Sequence, residues 1–119
     1  DRIEKGQLPS LDDISEMNEN NIVNDIIIDE QGLEQPGQKT IYNLNTTPIF
    51  VEIPYNQDKL LKVDRTKAQL LRNKCRSLFM HYLARGYMVK GYVVKKDSPE
   101  RRRVFYRLEQ ESRWQILNL

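Results

Sequence analysis

Apolar residues recur at spacings of three and four between Arg65 and Arg85. Leu71, Cys75, Leu78, Phe79, Tyr82 and Leu83 share one face, which predicts an amphipathic helix packed on a core. Asp64 is a suitable N-cap, and Gly86 stands where a helix-ending glycine belongs. After Gly86 the period changes. Met88 to Lys96 and Arg102 to Leu108 read as two strands around the turn sequence Asp97-Ser98-Pro99-Glu100. In the second strand Val104, Tyr106 and Leu108 point one way, and Arg103, Phe105 and Arg107 the other. Upstream, Ile49, Val51 and Ile53 alternate with Phe50 and Glu52, a strand closed by Pro54, and Asn56 to Lys59 form a turn or short helical lead-in.

The first third follows a different pattern. Leu8, Leu11, Ile14 and Met17 recur every three residues behind Ser10, Asp12 and Asp13, which predicts a short helix over about 10–19 ended by Asn20 and Asn21. Ile22-Val23-Asn24-Asp25-Ile26-Ile27-Ile28 suits an extended segment. Uncovered isoleucine runs invite aggregation, so Ile22, Ile26, Ile27 and Ile28, with the four residues of the short helix, are candidates for docking on the body or on a partner. A disordered tail with incidental isoleucines is the alternative. Gln31 to Gln38, with Gly32, Pro36 and Gly37, reads as a linker. Trp114, Ile116, Leu117 and Leu119 form an apolar tail.

Charge sharpens this division. Residues 1–38 hold ten acids against Arg2 and Lys5, a net of −8, whereas residues 39–119 hold 17 bases and 7 acids, a net of +10. From Arg65 to Lys96 there are nine Lys or Arg and no Asp or Glu. A structural surface helix usually interleaves glutamates, because like charges on neighbouring turns repel. Their absence marks a ligand-facing surface meeting phosphate or an acidic partner; the bland alternative is a solvated basic face. Candidate phosphate contacts are Arg65, Lys67, Arg72, Lys74, Arg76 and Arg85 on the helix, and Lys90, Lys95, Lys96, Arg101, Arg102 and Arg103 on the hairpin. Tyr82, Tyr87, Tyr92, Phe105, Tyr106 and Trp114 lie among them and serve either as core or as stacking platforms.

The stretch from Gly86 to Leu108 resembles the wing of winged-helix transcriptional regulators. A helix ends at glycine, a strand follows, and the arginine-rich turn Arg101-Arg102-Arg103 leads into a strand with Tyr106-Arg107-Leu108. The resemblance covers about residues 70–108 and implies a helix in the DNA major groove with the hairpin tip on the backbone or in the minor groove. The chain departs from that pattern upstream, where two further helices belong and a strand is expected at 48–53.

Other chemistry finds little footing. His81 is the one histidine and sits among bases, Cys75 is the one cysteine and lies on the apolar face, and the five glycines are scattered. Glu52, Asp58 and Asp64 match no metal-ligand spacing, so catalytic, metal and cofactor sites and a small-molecule substrate are not expected. A single cysteine excludes a disulfide within the chain. No run approaches the ~18 apolar residues of a membrane helix, nor is there an apolar leader, which points to an intracellular setting, whether nucleus, cytoplasm or viral particle.

The expected architecture is α+β. One long basic amphipathic helix packs on a small antiparallel sheet with a C-terminal β-hairpin in residues 39–119, preceded by an extended acidic arm over 1–38. The expected function is non-enzymatic binding of nucleic acid, DNA or RNA, within a larger complex, with the arm mimicking phosphate or recruiting protein. The alternative is an architectural subunit of a multiprotein or viral assembly whose arm docks on a neighbour.

Overall fold

The computed structural model describes residues 10–11 and 15–110. Its elements are β1 (Ser10–Leu11), β2 (Asn24–Ile28), β3 (Glu34–Thr40), β4 (Ile49–Ile53), α1 (Gln57–Val63), α2 (Arg65–Ala84), β5 (Tyr87–Ser98) and β6 (Arg101–Gln110). The fold is α+β. One sheet has the order β1-β5-β6-β4, antiparallel except that β1 runs parallel to β5; β2 and β3 form an antiparallel hairpin. The hairpin is stitched to the free edge of β4, where Val23 N donates to Phe50 O at 3.0 Å and Phe50 N donates to Asn21 O at 2.8 Å.

Asp64 serves both helices. Its carboxylate accepts from Lys67 N at 3.0 Å and caps α2, while its backbone N–H donates to Leu60 O and closes α1. Gly86, at φ +93°, takes the left-handed conformation that turns the chain from α2 into β5. The buried stripe of α2 meets two partners in succession. Ala68, Leu71 and Cys75 pack with Ile26, Leu33 and Leu60; one turn further on, Leu78 and Tyr82 pack with Val23, Ile49, Val51, Tyr87, Tyr106 and Leu108. The opposite sheet face buries Phe50, Val93 and Phe105 beneath Met17 and Ile22. Period-two alternation along β4 and β6 therefore feeds two cores, not one core and solvent.

Three expectations are corrected. No helix spans the described part of 10–19: Ser10 and Leu11 pair with Tyr92 and Val93, and residues 15–16 and 19–21 form turns. Asn18 N donates to Asn21 Oδ1 at 2.8 Å and Asn21 Nδ2 donates to Glu16 O at 2.6 Å, so asparagine side chains take up the backbone bonds that a helix would need. Most of the expected linker is strand β3, with the turn confined to residues 29–33. Pro36 is tolerated because β3 pairs on one side only. At Gly37 a Cβ would lie 2.4 Å from the Asp25 carboxylate, which accepts from Lys39 N at 2.9 Å. The hairpin tip shrinks from four residues to Pro99-Glu100, because β5 absorbs Asp97 in an irregularity between Lys96 and Ser98. Leu8, Ile14 and the apolar tail at Trp114, Ile116, Leu117 and Leu119 lie outside the described residues.

Candidate nucleic-acid interface

The structure divides the predicted cations into two groups. Arg65, Arg72 and Arg76 are exposed on α2 and make no ion pair among the described residues. Lys67 is also exposed, with Nζ 3.8 Å from Asp29 Oδ2. Lys74 is half-buried in a crevice with Asp25, Lys39 and Thr40. On the hairpin, Lys96 faces Arg102 in register and both are exposed, Lys95 faces Arg103, and Lys90 is exposed at the β5 irregularity. Because residues 102, 104 and 106 alternate with the others, Arg102 lies on the same sheet face as Tyr106, the face that α2 covers.

Three predicted contacts are used inside the fold. Arg85 donates to Tyr42 O at 3.0 Å, Leu44 O at 2.8 Å and Asn45 Oδ1 at 2.6 Å, and its guanidinium lies 5.3 Å from the Tyr82 ring. Arg101 donates to Ile26 O and pairs with Asp97 at 3.7 Å. Arg103 pairs with Glu52, which is only 2% exposed, and the hydrogen bonds to Glu52 raise the guanidinium pKa further. These arginines hold loops and strands together. Arg107, absent from the predicted contacts, also pairs internally, with Glu16 at 2.9 Å and Glu109 at 2.8 Å.

The acidic arm is likewise put to local use. Asp25 accepts from Lys39 N; Asp29 accepts from Gln31 N and Leu33 N; Glu34 accepts from Tyr55 N and Asn56 N, both at 2.8 Å. Of the predicted docking residues, Met17, Ile22 and Ile26 pack on this chain's own cores, while Ile27 and Ile28 are exposed and Leu11 lies in β1.

Sequence reasoning missed a groove. Arg72, Arg76, Phe79 and Leu83 on one flank of α2, with Ile53, Tyr55 and Tyr106, line a cleft of about 680 Å³. Periodicity places Phe79 and Leu83 on the core face, and both do pack against the core, at its edge beside the cleft. Both are half-buried, and the usable signal was the width of the apolar arc, since Leu71, Cys75, Leu78 and Tyr82 already fill the buried stripe. Phe79 and Tyr106 meet edge to face, 5.4 Å between centroids, and form a ring-lined corner of the cleft. Burial pushes the Tyr106 phenol up, with Tyr92 adding to the shift, so the hydroxyl stays protonated near neutrality.

Of the aromatics, Tyr82, Tyr87 and Phe105 are buried, Tyr106 is 9% exposed with only its rim on the cleft, and Phe79 and Tyr92 are half-buried. His81 Nε2 lies 2.7 Å from Tyr42 O; a carbonyl only accepts, so Nε2 carries the proton in this bond. Burial, then the charges of Glu52 and Glu34, push the Cys75 thiol up to about 12. No cluster of His, Cys, Asp and Glu suited to a metal occurs among the described residues, and no helix there is long and apolar enough to cross a membrane. Among the described residues one helix, α1, precedes α2, with strand β4 before it, where the winged-helix pattern has two further helices. No family model matches this chain, and no curated protein or solved structure matches it.

Proposed function

We propose that this protein is a non-enzymatic, intracellular nucleic-acid-binding module. One observation carries the reading: α2 presents Arg65, Arg72 and Arg76 without a carboxylate partner among the described residues, and Lys96 and Arg102 lie on the sheet face that this helix covers. Exposed cations held on two rigid elements neutralise phosphates and release counterions. The arginines engaged by Glu52, Ile26 and the 42–45 loop stand outside the binding set.

Anisotropy titration with mixed-sequence DNA and RNA tests the reading. The logarithm of affinity falls linearly with the logarithm of salt, and replacing Arg65, Lys96 and Arg102 together with alanine flattens the slope by about 2. Absence of binding to every oligonucleotide at about 50 mM salt overturns it, because phosphate contacts are strong there.

A second reading, a subunit of a larger protein assembly, is favoured by the elbow between α1 and α2. There Leu61, Val63 and Leu70 are 41%, 60% and 61% exposed. A complex that forms on this elbow without nucleic acid supports that reading instead.

A further inference from the structure

We infer that the groove between α2 and the β4–β6 face receives single-stranded nucleic acid, with Arg72 and Arg76 on consecutive phosphates and an unstacked base against the Phe79–Tyr106 corner. The inference rests on the nucleic-acid reading and names the form of ligand that the groove selects.

Two chemistries share this cleft. Arg72 and Arg76 are four residues apart on α2, one turn apart on the same wall, and neither has an anionic partner among the described residues. Ile53, Phe79, Leu83 and Tyr106 give the cleft an apolar and aromatic side, with Asn56 and Gln57 on the lining as well. Asp58 is the one carboxylate on the rim among the described residues. A ligand matching both features has a planar apolar body and a repeating negative charge. The volume of about 680 Å³ lies within the range of small-ligand clefts and suits an extruded base with its sugar. A duplex presents phosphates and base edges, with its ring faces stacked inside, and cannot fill such a lining; an unpaired strand offers its ring faces.

The sheet extends the track. Arg102 follows Tyr106 on the same face of β6, two alternations towards the hairpin tip, and Lys96 lies opposite Arg102 on β5. A strand leaving the groove along this face therefore meets further cations after the aromatic corner. Unpaired DNA and unpaired RNA share the chemistry used here, and the experiment separates them.

The test uses the full chain with four probes of one sequence: single-stranded DNA, single-stranded RNA, the DNA duplex, and a single strand with abasic sites at its centre. At least one single strand binds about tenfold more tightly than the duplex, and the abasic strand binds about tenfold more weakly than its parent, as expected for loss of one stacked base. Arg72→Ala with Arg76→Ala weakens single-strand binding about tenfold or more and flattens its salt slope by about 1.4, the share of two phosphates on a single strand. Arg65→Ala, on α2 but outside the cleft lining, has a smaller effect. The groove inference is overturned if the duplex binds as tightly as the tighter-binding single strand, if abasic sites are without effect, or if the double variant retains parental affinity. Displacement of no oligonucleotide together with capture of an acidic peptide by Arg72 and Arg76 overturns it too. In the duplex case nucleic-acid binding itself stands, whereas failure of all four probes to bind removes both readings.

Discussion

The Arg103 guanidinium grips the Glu52 carboxylate through two parallel hydrogen bonds, Nε to Oε2 at 2.9 Å and Nη2 to Oε1 at 2.7 Å. Glu52 Oε1 also accepts from Ile26 N at 2.9 Å, so one carboxylate ties β2, β4 and β6 together. Removing one partner of a buried pair leaves an uncompensated charge, a larger penalty than the net worth of the pair. Arg103→Met lowers unfolding free energy by about 3 kcal/mol in urea titrations. Adding Glu52→Gln to that variant recovers part of the loss. A single variant as stable as the parent contradicts this account.

Asp29 makes stability depend on pH. The hydrogen bond from Leu33 N, with help from Gln31 N and Lys67, holds its carboxyl below the ordinary value of 3.8. A depressed folded-state pKa contributes stability above the unfolded value, and that contribution is lost as pH falls through the folded value. Asp29→Asn keeps an acceptor and removes the charge. The variant is therefore less stable than the parent near neutrality, and the two converge in acid below 3.8. A gap of equal size at both ends of the pH range assigns the effect to something other than this ionisation.

Arg85 separates stability from binding. Its contacts with Tyr42, Leu44 and Asn45 hold the loop ahead of β4, so Arg85→Ala costs about 2 kcal/mol of stability. Oligonucleotide affinity of the folded variant changes less than twofold. A tenfold loss of affinity in well-folded Arg85→Ala would return this residue to the interface.

Cys75 reports on folding. With its pKa near 12, about one thiol in ten thousand is ionised at pH 8, and the thiolate is the reactive species. Disulfide-exchange reagents then modify it at the rate of opening, and urea accelerates the reaction towards that of a free cysteine. Immediate labelling of native protein at pH 8 is the contrary result.

Gly86 and Gly37 differ in why they are glycine. A Cβ at Gly86 meets nothing within 4 Å, so Gly86→Ala costs about 1 kcal/mol through the left-handed backbone alone, and Gly86→Asn costs less. Gly37→Ala drives the Asp25 carboxylate off Lys39 N and loosens the β2–β3 register. Thermal denaturation ranks the three, with Gly37→Ala lowest.

Much of this architecture is written locally. Asp64 and Gly86 bound α2, Leu71, Cys75, Leu78 and Tyr82 set its buried face, and Ile49, Val51 and Ile53 mark β4. Strand β3 was not legible, because Gln35-Pro36-Gly37-Gln38-Lys39 has no apolar alternation. Its order comes from the Asp25 carboxylate on Lys39 N and from packing against α2, contacts made across sequence. The division of the arginines was hidden for a similar reason. Arg101, Arg102 and Arg103 are equivalent as letters, and only the distant Glu52 and Ile26 O separate the first and third from the second.

Strand β6 lies between β4 and β5, although it follows both in sequence. On the ribosome, β4 and β5 therefore emerge before the strand that joins them. A nascent chain stopped short of Arg101 has no Phe105 to complete the core of Phe50 and Val93, and no Arg103 to neutralise Glu52. Such a chain presents two unpaired strand edges at once, the kind of intermediate that chaperones capture and that self-associates without them.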